Sequence, residues 1–257
     1  MSIDFHADAN RATYTGREPD PDWTAMIRAI VDPMAKRVVD IGCGGGIYSA
    51  QWAALGAALV TGVDFSEAML SAAREANASV ATLAFAKGDA LATGLPDACA
   101  DVVFERALIH HIADLAACFR EARRLLATGG SFIVQDRTAE DCALPGAPDH
   151  PRGYFFERFP RLLDIELRRR PSGKAVIAAC ASASLALPTA RSFWETRRVY
   201  ASFAELAADL AARTGRSILH ELSDDELAEL IAFMRPRVGE GPIVEKDHWT
   251  VWSTAAA

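Results

Sequence analysis

The residues best able to do chemistry by type and spacing are the glycines of Gly42-Cys43-Gly44-Gly45-Gly46 and, about 20 residues on, the carboxylate of Asp64. Glycines at a strand-to-helix junction let the backbone turn sharply and approach a ligand with no Cβ in the way. A carboxylate at the tip of the neighbouring strand is placed to accept both hydrogen bonds of a ribose diol. The pair describes a nucleoside-binding site. Dinucleotide folds use G-x-G-x-x-G, with a pyrophosphate on the helix N-terminus. Here Ile47 stands where the third glycine of that fingerprint would fall.

These residues need particular elements around them. Lys36 and Arg37 mark a polar entry to a short strand over residues 38–41, and residues 47–56 read as the following helix. A second apolar run, 58–63, carries Asp64 to its tip. Ser66 is a good N-cap, with Glu67 in the first turn, for a helix reaching about Asn77. Residues 82–86, 101–105 and 131–135 read as the third to fifth strands. A helix from Asp114 sets Leu115, Phe119, Ala122 and Leu126 on one face and is expected to stop at Thr128-Gly129-Gly130. Short apolar strands alternating with amphipathic helices imply a doubly wound, mostly parallel α/β core over residues 36–137.

Residues 138–170 differ in kind, being rich in proline and aromatics, including Tyr154, Phe155, Phe156 and Phe159. Beyond them the pattern predicts a helix over 172–186, an alternating strand over 192–201, and helices over 203–213 and 223–234. Ser223 with Glu226 forms a capping box. The tryptophan-bearing segment 248–252 reads as a final strand.

At 257 residues the chain suits one large domain or a domain with a cap. A hydrophobic content of 51% and a charged content of 24% are those of an ordinary globular protein. The net charge of −7 argues against a sequence-independent grip on nucleic acid, which needs a basic surface. The run Arg168-Arg169-Arg170 reads as cations in the last turn of a helix that stops at Pro171. Five scattered cysteines show no C-x-x-C pair, so neither a metal site nor a disulfide framework is expected from their spacing. The first residues lack the basic and apolar regions of a signal peptide, and the longest apolar stretch, 175–187, is too short to span a bilayer. A cytoplasmic protein is the expectation, with no membrane or nucleic-acid partner, as monomer or homodimer.

From about residue 36 to 137 the chain resembles the class I S-adenosylmethionine-dependent methyltransferases, in the small-molecule branch of the ubiquinone and menaquinone methylases. Val39-Asp40-Ile41-Gly42-Cys43-Gly44 is similar to the first motif, whose glycine backbone lies under the methionine part of the cofactor. The resemblance makes Asp64 the ribose ligand, sets Phe65 and Met69 beside the adenine, and has Asp89 and the Ala90 backbone bond its edge. Leu125-Leu126-Ala127-Thr128-Gly129-Gly130 matches the family's L-x-P-G-G, with Ala127-Thr128 replacing the usual lysine-proline pair. It implies a Rossmann-like seven-stranded sheet, mostly parallel, with an antiparallel C-terminal edge hairpin and a mostly helical cap. The division is an N-terminal lid or arm over 1–35, a cofactor-binding core over 36–137, and cap helices with the last two strands over 138–257. Tyr14 and Arg17 fall in the segment that folds over the cofactor in relatives, as lid residues or as part of a solvated arm.

The resemblance thins where the acceptor should be written. After the fourth strand comes Glu105-Arg106-Ala107-Leu108-Ile109-His110-His111, which lacks the Asp/Asn-Pro-Pro-Tyr signature of nucleic-acid amino-methylases. Residues at strand carboxyl ends lie near the ligand in such sheets. Arg106 therefore falls at the cofactor, Glu105 bonds it or pairs with Arg106, and His110 and His111 are candidate bases or pack at a helix start. The aromatics of 154–159, with Trp194 and Tyr200, line an acceptor pocket or form core beneath the cap. Arsenic-methylating relatives use thiols, which keeps Cys142 and Cys180 in view. The implied reaction is methyl transfer to oxygen, nitrogen or carbon of a small metabolite; a cofactor-binding module without turnover and a nicotinamide oxidoreductase are the alternatives.

Overall fold

The computed structural model describes residues 20–256. Asp20 caps helix α1 (Pro21–Arg28) by accepting the Asp22 N–H. The alternation continues through β1 (Arg37–Ile41), α2 (Ile47–Ala54), β2 (Leu59–Asp64), α3 (Glu67–Ala76), β3 (Leu83–Lys87), β4 (Ala100–Arg106), α4 (Leu115–Leu125) and β5 (Leu126–Asp136). The proline- and aromatic-rich segment folds as α5 (Ala139–Cys142), α6 (Gly153–Arg158) and α7 (Pro160–Arg169). Then come α8 (Gly173–Ser182), β6 (Thr189–Tyr200), α9 (Phe203–Ala211), α10 (Asp224–Val238) and β7 (Ile243–Ala255).

One seven-stranded sheet results, in the order β3-β2-β1-β4-β5-β7-β6. Strands β1 to β5 pair in parallel, and β7 runs antiparallel to both β5 and β6. The expected Rossmann-like sheet with its C-terminal edge hairpin is therefore present. Strand order reverses between β1 and β4, and that switch point leaves a crevice beyond the carboxyl ends. Alternate side chains feed two cores, one per face. Val39, Ile41, Val103 and Phe132 pack with Phe119 of α4 and Val176 of α8. Val38, Val60, Val102 and Phe104 pack with Trp23 of α1 and Trp52 of α2. A third core, with Phe155, Phe156, Phe203, Leu206 and Leu230, holds the cap together.

Four elements depart from the sequence reading. Helix α4 stops at Leu125, and Leu126 is already extended at ψ 130°. Gly129, at φ +73°, sits in the irregular entry of β5, where pairing with β4 shifts between Ala100 and Val102, and not at a helix end. Helix α8 ends at Ser182 because Leu185 bridges to Ala256 at the sheet edge. The long hairpin partner extends β7 well beyond residues 248–252 in both directions, and in β6 a bulge between Thr196 and Arg198 breaks the simple alternation. Glu195 and Tyr200, of opposite parity in sequence, are both buried as a result, while Trp194 is exposed.

Candidate active site

The glycine turn is tied to the tip of β2. Gly42 and Cys43 donate their N–H groups to the Val63 carbonyl at 2.7 and 3.1 Å. Gly44, at φ +52°, turns its N–H onto Asp64 Oδ2 at 2.9 Å, and Oδ1 accepts the Ser66 N–H at 2.9 Å. Gly46 sits at φ +79°, and a Cβ there would lie 2.7 Å from the Phe85 ring, so this position requires glycine. Beneath the turn the buried Asp40 accepts a hydrogen bond from Ser49 Oγ at 2.5 Å, and burial pushes its carboxyl up to about 7. The Gly88 N–H reaches the Asp64 carbonyl at 3.0 Å, which sets Asp89 and Ala90 at the end of β3.

A cavity of about 680 Å³ opens above these strand ends. All the cofactor-side residues put forward from sequence within the described region line it: Asp40, Gly42, Cys43, Gly44, Asp64, Phe65, Met69, Asp89, Ala90 and Arg106. His110 and His111 line it too. Tyr14 and Arg17 lie outside the described residues.

The other end of the cavity is built from the carboxyl ends of β4 and β5 and the amino-terminal half of β7. Arg106 donates to Glu195 Oε2 at 2.9 Å and stacks 4.0 Å above Tyr48 and 4.3 Å from Trp249. Glu195 is held by the Tyr48 hydroxyl and by Gln135, whose own oxygen accepts from the Trp23 indole at 2.9 Å. Neither expectation for Glu105 holds. Strand alternation turns it to the opposite face, where its Oε1 accepts from the Cys118 thiol at 3.3 Å, and burial pushes its carboxyl up to about 8.

His110 Nδ1 lies 2.9 Å from Asp136 Oδ2 and 2.9 Å from Arg170 Nη1. Arg170 also pairs with Asp136, and its Nε and Nη2 donate to Glu166 at 3.0 and 2.7 Å. Burial depresses His110 to about 3 and His111, stacked on it at 4.0 Å, to about 4. Both rings are neutral at neutral pH. Nδ1 faces both the Asp136 acceptor and the Arg170 donor, so either neutral tautomer finds a partner there; in the Nδ1–H tautomer Nε2 keeps a lone pair.

The aromatic acceptor wall is not formed. Tyr154, Phe155, Phe156, Phe159 and Tyr200 pack in the cap core, and Trp194 stacks on His150 and His248 away from the cavity. Trp23, from the segment expected as a lid, is fully buried against Trp52 and Phe104. Cys142 and Cys180 are both buried, and among the described residues no group of three His, Cys, Asp or Glu side chains could hold a metal. Among the described residues seven arginines line the cavity, as do the carboxylates Asp209, Glu221 and Asp247; of the seven, the sequence reading singled out Arg106, Arg169 and Arg170. Arg137 was detectable by its place at the end of β5; Arg152, in a loop, carried no signal.

Residues 39–134 match the methyltransferase domain family, from β1 into β5. Over these residues the chain is similar to a methyltransferase domain. Curated relatives of the domain include the ubiquinone/menaquinone biosynthesis C-methyltransferase of Acidiphilium cryptum (strain JF-5), 35% identical over 43% of this chain and 46% of that protein. The ubiquinone biosynthesis O-methyltransferase of Stutzerimonas stutzeri (strain A1501) is 35% identical over 55% and 65% of the two chains. The chain thus spans between about half and two thirds of the length of these relatives. A solved structure from Anabaena variabilis ATCC 29413, described as a candidate methyltransferase of an antibiotic biosynthesis pathway, shares the domain's fold and much of its cap. It has a TM-score of 0.70 at 20% identity, covering 91% of this chain and 98% of that one. The nicotinamide alternative finds no support in these likenesses.

Proposed function

We propose that this chain is an enzyme that binds S-adenosylmethionine at the glycine turn and transfers its methyl group to a small acceptor lying toward β4 and β5. The observation that carries the reading is the clamp of Asp64 onto the Gly44 N–H, on the same cavity as His110. The site's donors and acceptors suit the nucleoside: a carboxylate at the tip of β2, a backbone that a Cβ would obstruct, and an apolar flank of Phe65 and Met69. When bound, the sulfonium supplies an already activated methyl group.

The protein's task is then to hold the acceptor in line and exclude water. Asp64 holds the ribose, Phe65 and Met69 flank the adenine, and Asp89 and Ala90 address its edge. Gly42, Cys43 and Gly44, over Asp40, cradle the methionine part, with Arg106 beyond them and Tyr14 and Arg17 as lid residues. His110 takes the acceptor's proton on Nε2 while Asp136 stabilises the ring, and His111 shields it. A ring held near 3 gives up that proton at once, which suits brief acceptance during transfer more than storage. Residues 36–137 serve the cofactor and 138–257 the acceptor. Support for turnover, over a binding module, comes from the cavity running on past the glycine turn to the cap.

Five free cysteines suit a reducing cytoplasm, and the net charge of −7 suits a small-molecule partner over nucleic acid, with the chain as monomer or homodimer. Calorimetric titration with S-adenosylhomocysteine tests the donor site. Binding is expected, and Asp64→Ala is expected to weaken it roughly a hundredfold by removing charge-assisted bonds to the ribose. A labelled methyl donor offered with metabolite fractions tests turnover; no labelled product from any fraction would favour the binding module.

A further inference from the structure

The far wall of the cavity holds two buried guanidiniums without enough partners. Arg137 and Arg152 both line it, and each is 7% exposed. Arg137 meets Asp247 at 2.6 Å through Nη2 and stacks 4.0 Å from Trp249. Among the described residues Arg152 makes no hydrogen bond, and its nearest carboxylate oxygen, on Glu166, is 3.5 Å away. Glu166 is already taken, since Arg169 and Arg170 donate to its two oxygens. The Nε atoms of both Arg137 and Arg152 are buried without a partner. Burial and the neighbouring Arg152 bring the Arg137 guanidinium down to about 10.

A buried cation left unpaired is costly, and proteins retain one where something else completes it. Guanidinium forks match carboxylate and phosphate oxygens bidentately. Trp249 stands between Arg106 and Arg137, so this wall is set apart from the glycine turn on the acceptor side of the cavity.

We propose that Arg137 and Arg152 form a seat for an anionic group, carboxylate or phosphate, carried by the methyl acceptor. The proposal rests on the reading that the donor occupies the glycine end. The acceptor would then be a small acid that docks by its charge and presents its nucleophilic atom toward His110.

Thermal shift with succinate, its neutral analogue succinamide, and inorganic phosphate tests the seat, on protein saturated with S-adenosylhomocysteine and on protein without it. Succinate or phosphate is expected to raise the Tm and succinamide is not; the stronger of the two anions identifies the preferred group. Arg152→Gln should abolish the shift, leave the S-adenosylhomocysteine Kd within about twofold, and leave the ligand-free Tm unchanged or raised. A shift from succinamide equal to that from succinate, or none from either anion, overturns the proposal. So does an Arg152→Gln variant that loses several degrees while keeping the anion response, because that arginine would be structural. Parallel loss of S-adenosylhomocysteine affinity would assign the seat to the donor's own carboxylate instead. Should S-adenosylhomocysteine fail to bind the unaltered protein, the methyl-transfer reading falls, while the anion response of the donor-free protein still decides the seat.

Discussion

At the scale of single residues, two carboxyls show how position within a strand end sets chemistry. Asp64 and Glu105 both close parallel strands, yet Asp64 turns into the cavity and Glu105 into the core. Asp64 accepts the Gly44 and Ser66 N–H groups, one on each oxygen, which fixes the carboxylate at the cavity edge. Glu105 has a thiol and an unpartnered Oε2, and burial holds its carboxyl near 8. Its contribution to stability is full below the unfolded value of 4.5 and is lost as pH rises through 8, because ionisation must then occur in the core. Glu105→Gln removes that loss. The variant should match the parent's Tm near pH 4.5 and exceed it by roughly 5 °C or more at pH 8, read by calorimetry. A gain that does not grow with pH would show that Glu105 is not protonated in the folded state.

At the scale of elements, the turn between β1 and α2 is the part least tolerant of change. Gly46 is at once the N-cap of α2, a left-handed residue and a contact of the Phe85 ring. Gly46→Ala combines a steric conflict with a strained φ, expected to cost about 2 kcal/mol of stability and to weaken S-adenosylhomocysteine binding in calorimetry. Capping by contrast is local and replaceable. Ser223 accepts the Glu226 N–H while Glu226 returns to the Ser223 N–H, so Ser223→Ala should cost about 1 kcal/mol in urea unfolding with donor binding unaltered. Such caps were legible from sequence because their partners lie within four residues. The bulge in β6 was not, since only pairing with β7 forces Thr196 and Arg198 out of register.

At the scale of the whole molecule, buried titrating groups pull in opposite directions. His110 and His111, depressed from 6.5 to about 3 and about 4, contribute stability that is present above 6.5 and lost as pH falls toward those values. Asp40 and Glu105, raised to about 7 and about 8, contribute stability that is present at low pH and lost as pH rises through them. Between about 4.5 and 6.5 the unfolded chain gains protons on the histidines as the folded chain holds them on the carboxyls, and the slopes offset. Below 4 the ion-paired Asp136, held below the usual carboxylate range by His110 and Arg170, and Glu166 and Asp247, held there by neighbouring arginines, add to the loss. The ligand-free protein should therefore show a Tm plateau on the acid side of neutral, from about pH 4.5 to 6.5, and fall on both sides. A maximum at pH 8 in a calorimetric series would contradict this balance.

Sequence alone determined the glycine-turn end of the cavity, the proposed donor half. Gly42 to Gly46, Asp64 and Asp89 are placed by short-range rules: a strand runs into glycines, a cap opens a helix, and each residue's neighbours in the chain decide which way it points. Tertiary structure decided the acceptor half. Glu166 reaches Arg170 along its own helix, but Asp136 meets His110 and Arg170 from different elements, and Arg152 faces Arg137 from a loop. Those charges come from segments far apart in the chain, and no periodicity or turn chemistry links them. Aromatic composition suggested an apolar pocket there, yet folding used the aromatics to glue the cap and turned arginine inward, because only a long side chain can cross from the core to a shared cavity with its charge intact.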